Sequence, residues 1–267
     1  MRYCIASVGI ISLVALLLAP QMAGQQVHEY GRIERQGGQA RLKVWSSRPL
    51  DTAAGTLSVE YGLQISAEDP PAFPKEDLIY PYGPAQPIPR GGSFEAAFGV
   101  DAEGKPKDVQ AMLRLVVEAY HSRFPMRYRI DRAGEEYSFV PTHVRGAPVN
   151  AVLDTLITIP EANRSFQAAH DAIGAALSEA AGIQTYCGTG IASNYLLQNS
   201  LSLGATREIA RQVLRRVGHK LPQGQIWLAR SDPSTGQYIV NTRPLKSRQG
   251  PAPGFPPPPP PRSGPPR

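Results

Sequence analysis

Cysteine is nearly absent from this chain: only Cys4 and Cys187 carry a thiol. Cys4 lies in a leading segment expected to be removed, so Cys187 would stand alone and an internal disulfide is excluded. An unpaired thiol outside the cytoplasm is either buried and inert or exposed and reactive, and burial is the commoner fate. Familiar catalytic signatures are missing too, with no HExxH, GxSxG, Walker or paired-cysteine spacing. His121, His143, His170 and His219 are scattered, and no pair has the spacing of metal ligands on one helix face. No cofactor or metal is indicated. An excess of one charge is lacking where it would matter. The formal charge is +6, but Arg2, Lys246, Arg248, Arg262 and Arg267 lie at the ends, and without them the 28 basic residues fall to 23 against 22 acidic ones. That balance is no footprint for a nucleic acid.

Long apolar runs are also lacking, with one exception. Ile5 to Ala19 is uncharged and apolar, follows Arg2, and is broken by Pro20. Its 15 residues fall short of the roughly 20 that a spanning helix needs. Residues 1–24 therefore read as a signal peptide, with Ala23 and Gly24 as the small residues before cleavage at Gln25. The competing reading is an uncleaved anchor. The mature chain is expected to be periplasmic or secreted and to have no membrane span.

Proline, by contrast, is abundant. The tail from Lys246 onward, containing GPAPGFPPPPPPRSGPPR, has too few amide protons for a hydrogen-bonded ladder and is expected to be disordered or polyproline II. It reads as a solvated terminus or spacer, or as a ligand for an aromatic groove. Residues 25–39 read as a flexible lead-in.

Between these ends one α+β unit is expected to occur twice, over residues 40–145 and 151–245, linked near Gly146 to Asn150. The first copy opens with the strand ARLKVW, takes Ser46 or Ser47 as helix cap before RPLDTAAGTLSVEY, stops at Gly62, and continues with the strand LQISA. The second opens with DTLITI, takes Asn163 as cap for RSFQAAHDAIGAALSEAA, stops at Gly182, and continues with IQTYC. Each copy then adds a strand, a helix and a hairpin. In the first these are FEAAFGV, a helix starting near Pro106 with Val109, Leu113, Val116 and Tyr120 on one face, and MRYRIDR with EYSFV turning at Ala133-Gly134. In the second they are YLLQNSLSL, a break at Gly204, the helix ATREIARQVLRRV, and QIWLAR with QYIV turning at SDPSTG. In each copy the two helices would pack on a small mixed sheet.

Gly62 and Gly182 are 120 residues apart, whereas Arg127 and Gln225 are 98 apart, so the first copy carries 22 extra residues. They fall in the proline-rich insertion 68–92. Phe73, Leu78, Ile79, Tyr80, Tyr82 and Ile88 within it form the candidate contact surface. The other reading is packing across its own domain or the seam between the two.

The segments RPLDTAAGTLSVEYGLQISAEDP and RSFQAAHDAIGAALSEAAGIQTY, with ATREIARQVLRRVGHKL and its closing hairpin, resemble the short N-terminal domain shared by secretins and TonB-dependent transporters. The resemblance covers most of residues 40 to 243 and implies a periplasmic module that docks on other proteins. Its partner would be an envelope protein such as a secretion or transporter component, and no catalytic residue carries over.

The enzymatic alternative is a small secreted hydrolase or thiol enzyme using Cys187, with Gly188 and Gly190 offering backbone amides and His170 or His219 as base. On the other reading Cys187 simply ends an inner strand. His121 and His219 sit near the ends of equivalent helices, where a positive imidazole would favour the helix C-terminus. Arg207, Arg211, Arg215 and Arg216, interrupted by Glu208, suit a solvated face, and Trp45 and Trp227 read as core or edge anchors. A passive envelope spacer is the third reading.

Overall fold

The computed structural model describes residues 29–189, 199–220 and 225–245, and the chain is mixed α+β with four helices among them. The expected signal peptide, residues Tyr195 to Gln198 of one expected strand, and the tail lie outside the described residues.

The supposed lead-in is largely ordered. β1 (Tyr30–Gln36) pairs antiparallel with β2 (Gln39–Ser46) across Gly37 and Gly38, both at positive φ. A two-glycine reversal makes the register local, so one anchoring residue, Ile33, suffices to seat the strand against the core. α1 (Pro49–Tyr61) is capped by Arg48 without a side-chain bond, not by Ser46 or Ser47. Proline suits the first helical position, having no N–H there to leave unsatisfied. Ser46 Oγ instead accepts the Arg48 N–H, and Ser47 bonds to Glu29. Gly62 closes the helix in the left-handed conformation at φ 69°, as its position requires.

β3 (Gln64–Glu68) leads into the insertion, which holds one 3-10 turn at Lys75–Asp77 and a two-residue ladder between β4 (Leu78–Ile79) and β5 (Ile88–Pro89). β6 (Gly92–Gly99) pairs antiparallel with β2. α2 (Val109–His121) starts later than Pro106 suggests, because Asp108 caps it by accepting the Ala111 N–H at 3.0 Å. Pro106 forms a bridge with Val100 instead. β7 (Met126–Ala133) and β8 (Glu136–Val144) make the expected hairpin, and β3 runs parallel to β8. The link begins as a strand, β9 (Ala147–Pro148), paired with the end of β8.

In the C-terminal half, β10 (Leu156–Ser165) is longer than expected and contains Asn163. The cap of α3 (Phe166–Ala181) is Ser165, whose hydroxyl accepts the Ala168 N–H at 3.1 Å. Gly182 ends α3 at φ 66°, and β11 (Thr185–Thr189) follows. β12 (Ser200–Ile209), antiparallel to β10, runs through Gly204 and the residues expected to open a helix. Register shifts in β10 bring Glu161 so near that a Cβ on residue 204 would lie 2.9 Å from its Cα; glycine here permits a bulge and not a break. α4 (Ala210–Gly218) therefore begins only at Ala210. β13 (Gln225–Ser231) and β14 (Tyr238–Pro244) form the closing hairpin, with β11 parallel to β14.

The two halves share one sheet, in the order β11-β14-β13-β3-β8-β7, joined where Leu228 and Ala229 of β13 lie parallel to Ala67 and Glu68 of β3. Side chains alternate along a strand, so neighbours on β13 enter different cores. Leu228 packs with Ile65, Ala67 and Phe139 of the N-terminal half, while Trp227 and Ala229 pack with Ile173, Leu177 and Val213 of the C-terminal half. α1 and α2 thus lie on one face of the sheet and α3 and α4 on the other. β1, β2 and β6 cover the first helix pair, and β10 and β12 the second. Each fully buried Leu, Ile or Phe in these cores contributes about 2 kcal/mol.

Candidate functional site

Arg211 and Arg215 are one helical turn apart and project from the same face of α4. The expectation of a solvated basic face fails for both: they are 2% and 8% exposed. Arg207 belongs to β12, at φ 50°, and only Arg216 of the other two lies on α4 in the open. The face of α4 that carries Arg211 and Arg215 is turned toward the N-terminal half.

There Arg211 Nη2 donates to Glu68 Oε2 at 2.6 Å and to Asp154 Oδ1 at 2.9 Å. Glu68 also accepts the Leu153 N–H at 2.9 Å, and the Tyr238 hydroxyl lies 3.1 Å from its Oε1. Arg215 pairs with Asp131 at 2.9 Å and Glu136 at 3.3 Å, over the ring of Trp227. A second group closes the same seam: Arg48 holds Asp69 at 2.7 Å and donates to the Ser231 carbonyl at 2.8 Å, while Arg230 holds Asp51 at 2.7 Å. Burial of two carboxyls in this dry seam raises both, Asp69 to about 7. Asp154 moves the other way. Its burial is outweighed by Arg211 and Arg129, which hold it below the usual carboxylate range.

Beside the seam opens a groove of about 790 Å³ between α4 and β7. Arg129, Asp131, Arg132 and Ala133 form one wall, and Gln212, Arg216, His219 and Lys220 rise on the other. Asp131, Arg132 and Ala133 are consecutive, and successive strand residues point to opposite faces. Arg129, Asp131 and Ala133 share the face turned to α4, and Arg132 between them brings the groove to the margin of β7. Among the described residues β7 pairs with β8 alone, so that edge is open.

The sequence-predicted contact residues differ in exposure. Leu78 is buried and Phe73, Ile79 and Ile88 are partly buried, with Phe73 beside Arg48, Asp51, Tyr120 and Tyr128. Tyr80 and Tyr82 are about half exposed. Arg145 fastens the insertion to β8 by donating to both carboxylate oxygens of Asp77, at 2.6 and 3.0 Å. Packing and exposure therefore coexist in this one segment.

Cys187 lies inside β11 and is buried, and burial pushes its thiol up to about 12. It is protonated at neutral pH, and no bond joins it to a histidine among the described residues. His170, which is also buried, contacts the Phe166 carbonyl from Nδ1 at 2.8 Å. His121 does not serve its helix as a cation. Burial lowers its pKa, and Nε2 accepts the Tyr128 N–H at 2.8 Å, which requires a neutral ring. His219 instead faces Glu136 at 3.1 Å. Trp227 is a core residue and Trp45 is partly buried on β2. Among the described residues no three His, Cys, Asp or Glu side chains converge as a metal site, and no helix is long and apolar enough to cross a membrane.

Compared with known proteins, the chain matches no family model, no curated protein and no solved structure.

Proposed function

We propose that this is an exported protein-docking module, made of two copies of one α+β unit of the secretin/TonB short-domain type and carrying no catalytic centre. Strand pairing supports the duplication. β2 with β6, β3 parallel to β8, and β7 with β8 correspond in order and sense to β10 with β12, β11 parallel to β14, and β13 with β14. The two copies span residues 40–145 and 151–245, the first interrupted by the insertion 68–92.

The observation that carries the docking reading is the seam. A shared sheet and buried ion pairs hold the two units in one arrangement, which is what a platform needs and a flexible spacer does not. Tyr80 and Tyr82 on the insertion are the anchors offered to a partner, since tyrosine adds contact area at little entropic cost. A photo-reactive residue at Tyr82, installed in the envelope of the producing cell, should yield one discrete crosslinked species. Tyr80→Ala should weaken it. A smear no stronger than that from an exposed control position such as Glu103 would remove the docking reading and leave the passive spacer.

A further inference from the structure

We infer that the groove along the outer edge of β7 receives an extended, acidic segment of a partner protein, which adds to the sheet as its next strand. The inference rests on the docking reading and names the chemistry of the partner.

Two observations carry it. First, the outer edge of β7 pairs with no other strand among the described residues, and beyond Tyr128, whose N–H is taken by His121, the stretch from Arg129 to Ala133 is open to template another strand. The groove gives an incoming chain room to lie there. Second, the charges around it are unevenly spent. Asp131 and Asp154 are the only acidic groups in the lining, and both are taken up by Arg129, Arg211 and Arg215. Arg216 is paired with Glu208. Arg132 donates only to the Gly134 carbonyl and Gln110 while stacking on Tyr137, and Lys220 has no acidic partner among the described residues. The free charge at the mouth is positive and sits at one end of the open strand.

The same charges argue against a second copy of this chain. Pairing two β7 edges would set Arg127, Arg129 and Arg132 of one against those of the other, and like charges across a ladder are destabilising. An acidic strand meets the reverse situation, gaining both ladder bonds and charge contacts.

The test uses the mature protein and a fluorescein-labelled peptide of about eight residues alternating Glu and Thr, the length being that of β7, with a Lys/Thr peptide and inorganic phosphate as controls. Anisotropy should show saturable binding of the acidic peptide below about 1 mM. Binding should weaken steeply between about 50 and about 500 mM salt, where screening shortens several-fold. Arg132→Gln with Lys220→Gln should weaken it about tenfold while leaving the near-ultraviolet dichroism unchanged, and Lys220→Gln alone, in the exposed last turn, should give part of that loss. Amide exchange of outward-facing β7 groups should slow in the complex.

Absence of saturable binding, equal binding of the basic peptide, competition by phosphate at equimolar concentration, or binding without protection of β7 amides would each overturn the inference. The crosslink at Tyr82 reports on the docking reading separately. A crosslink without peptide binding would discard the acidic strand alone, and loss of both would discard the two together.

Discussion

Replacing Arg211 with methionine perturbs the seam at its centre. Methionine fills much of the space of the arginine stem but supplies no charge to Glu68, whose side chain is wholly buried. Two neutral donors, the Leu153 N–H and the Tyr238 hydroxyl, remain on that carboxylate. Asp154 is not orphaned, since Arg129 still holds it at 2.6 Å. Breaking a buried pair from one side costs about 3–5 kcal/mol, whereas removing both charges is close to neutral. Arg211→Met should therefore lower the unfolding free energy by about 3–5 kcal/mol, and Glu68→Gln combined with it should recover more than half of that, because glutamine can still accept both neutral donors. The loss is a large part of the 5–15 kcal/mol typical of a whole domain, and it falls on the contact between halves. Unfolding should accordingly split into two steps. Urea titrations of Trp45→Phe and Trp227→Phe backgrounds report each half through the tryptophan that remains. A loss under about 1 kcal/mol for Arg211→Met, or a double variant no more stable than the single one, would refute the reasoning that the pair is buried and mutually dependent.

Three further outcomes follow from the same geometry. Asp69 has its folded pKa raised to about 7, so its contribution is fully present below its unfolded pKa and is lost as pH rises through the folded value. Stability should fall by up to about 1 kcal/mol per unit between about pH 4 and pH 7, and a melting profile equally steep in Asp69→Asn would count against this assignment. The Cys187 thiol, buried and raised to about 12, should resist a maleimide at pH 8 until denaturant is added, and prompt labelling of the folded protein would return the thiol-enzyme alternative to consideration. Gly174→Ala should cost about 1–3 kcal/mol, because its Cβ would stand 3.2 Å from both the Cys187 nitrogen and the Thr185 carbonyl, where α3 rests on β11. An unchanged urea midpoint would refute close packing of α3 on β11 at this point.

Features decided within a few residues were legible in the sequence. Gly62 and Gly182 end helices because only a left-handed residue can follow there, and the hairpins turn where glycine and short polar residues gather. Caps were less legible because neighbouring polar residues compete. Ser46, Ser47 and Asn163 are all adequate cap types, but the two serines are engaged by Arg48 and Glu29, and the longer β10 takes in Asn163 and leaves the cap to Ser165. Gly204 misled for a related reason: glycine signals both a break and a close approach, and Glu161, 43 positions earlier, decides between them.

The seam was illegible for a deeper reason. In the sequence around α4, an arginine every fourth residue from Arg207, beside Glu208, has the pattern of a wet helix face, and nothing local distinguishes a guanidinium bound to water from one bound to Glu68 across the chain. A fainter signal existed on the opposite side of the contact. Gln225 to Ala229 of β13 and Glu136 to Pro141 of β8 are buried at every position, as strands covered on both faces must be. Two isolated units with their helices on one face would leave alternate positions wet, so QIWLA and EYSFV already require cover on the second face. Part of that cover for β8 is α4, whose Arg215 reaches Glu136 and Ser138 on the side away from the N-terminal core. A helix that covers another unit's polar strand face needs groups that can end in charge, so the run that looked solvated is the one suited to the interior of this seam.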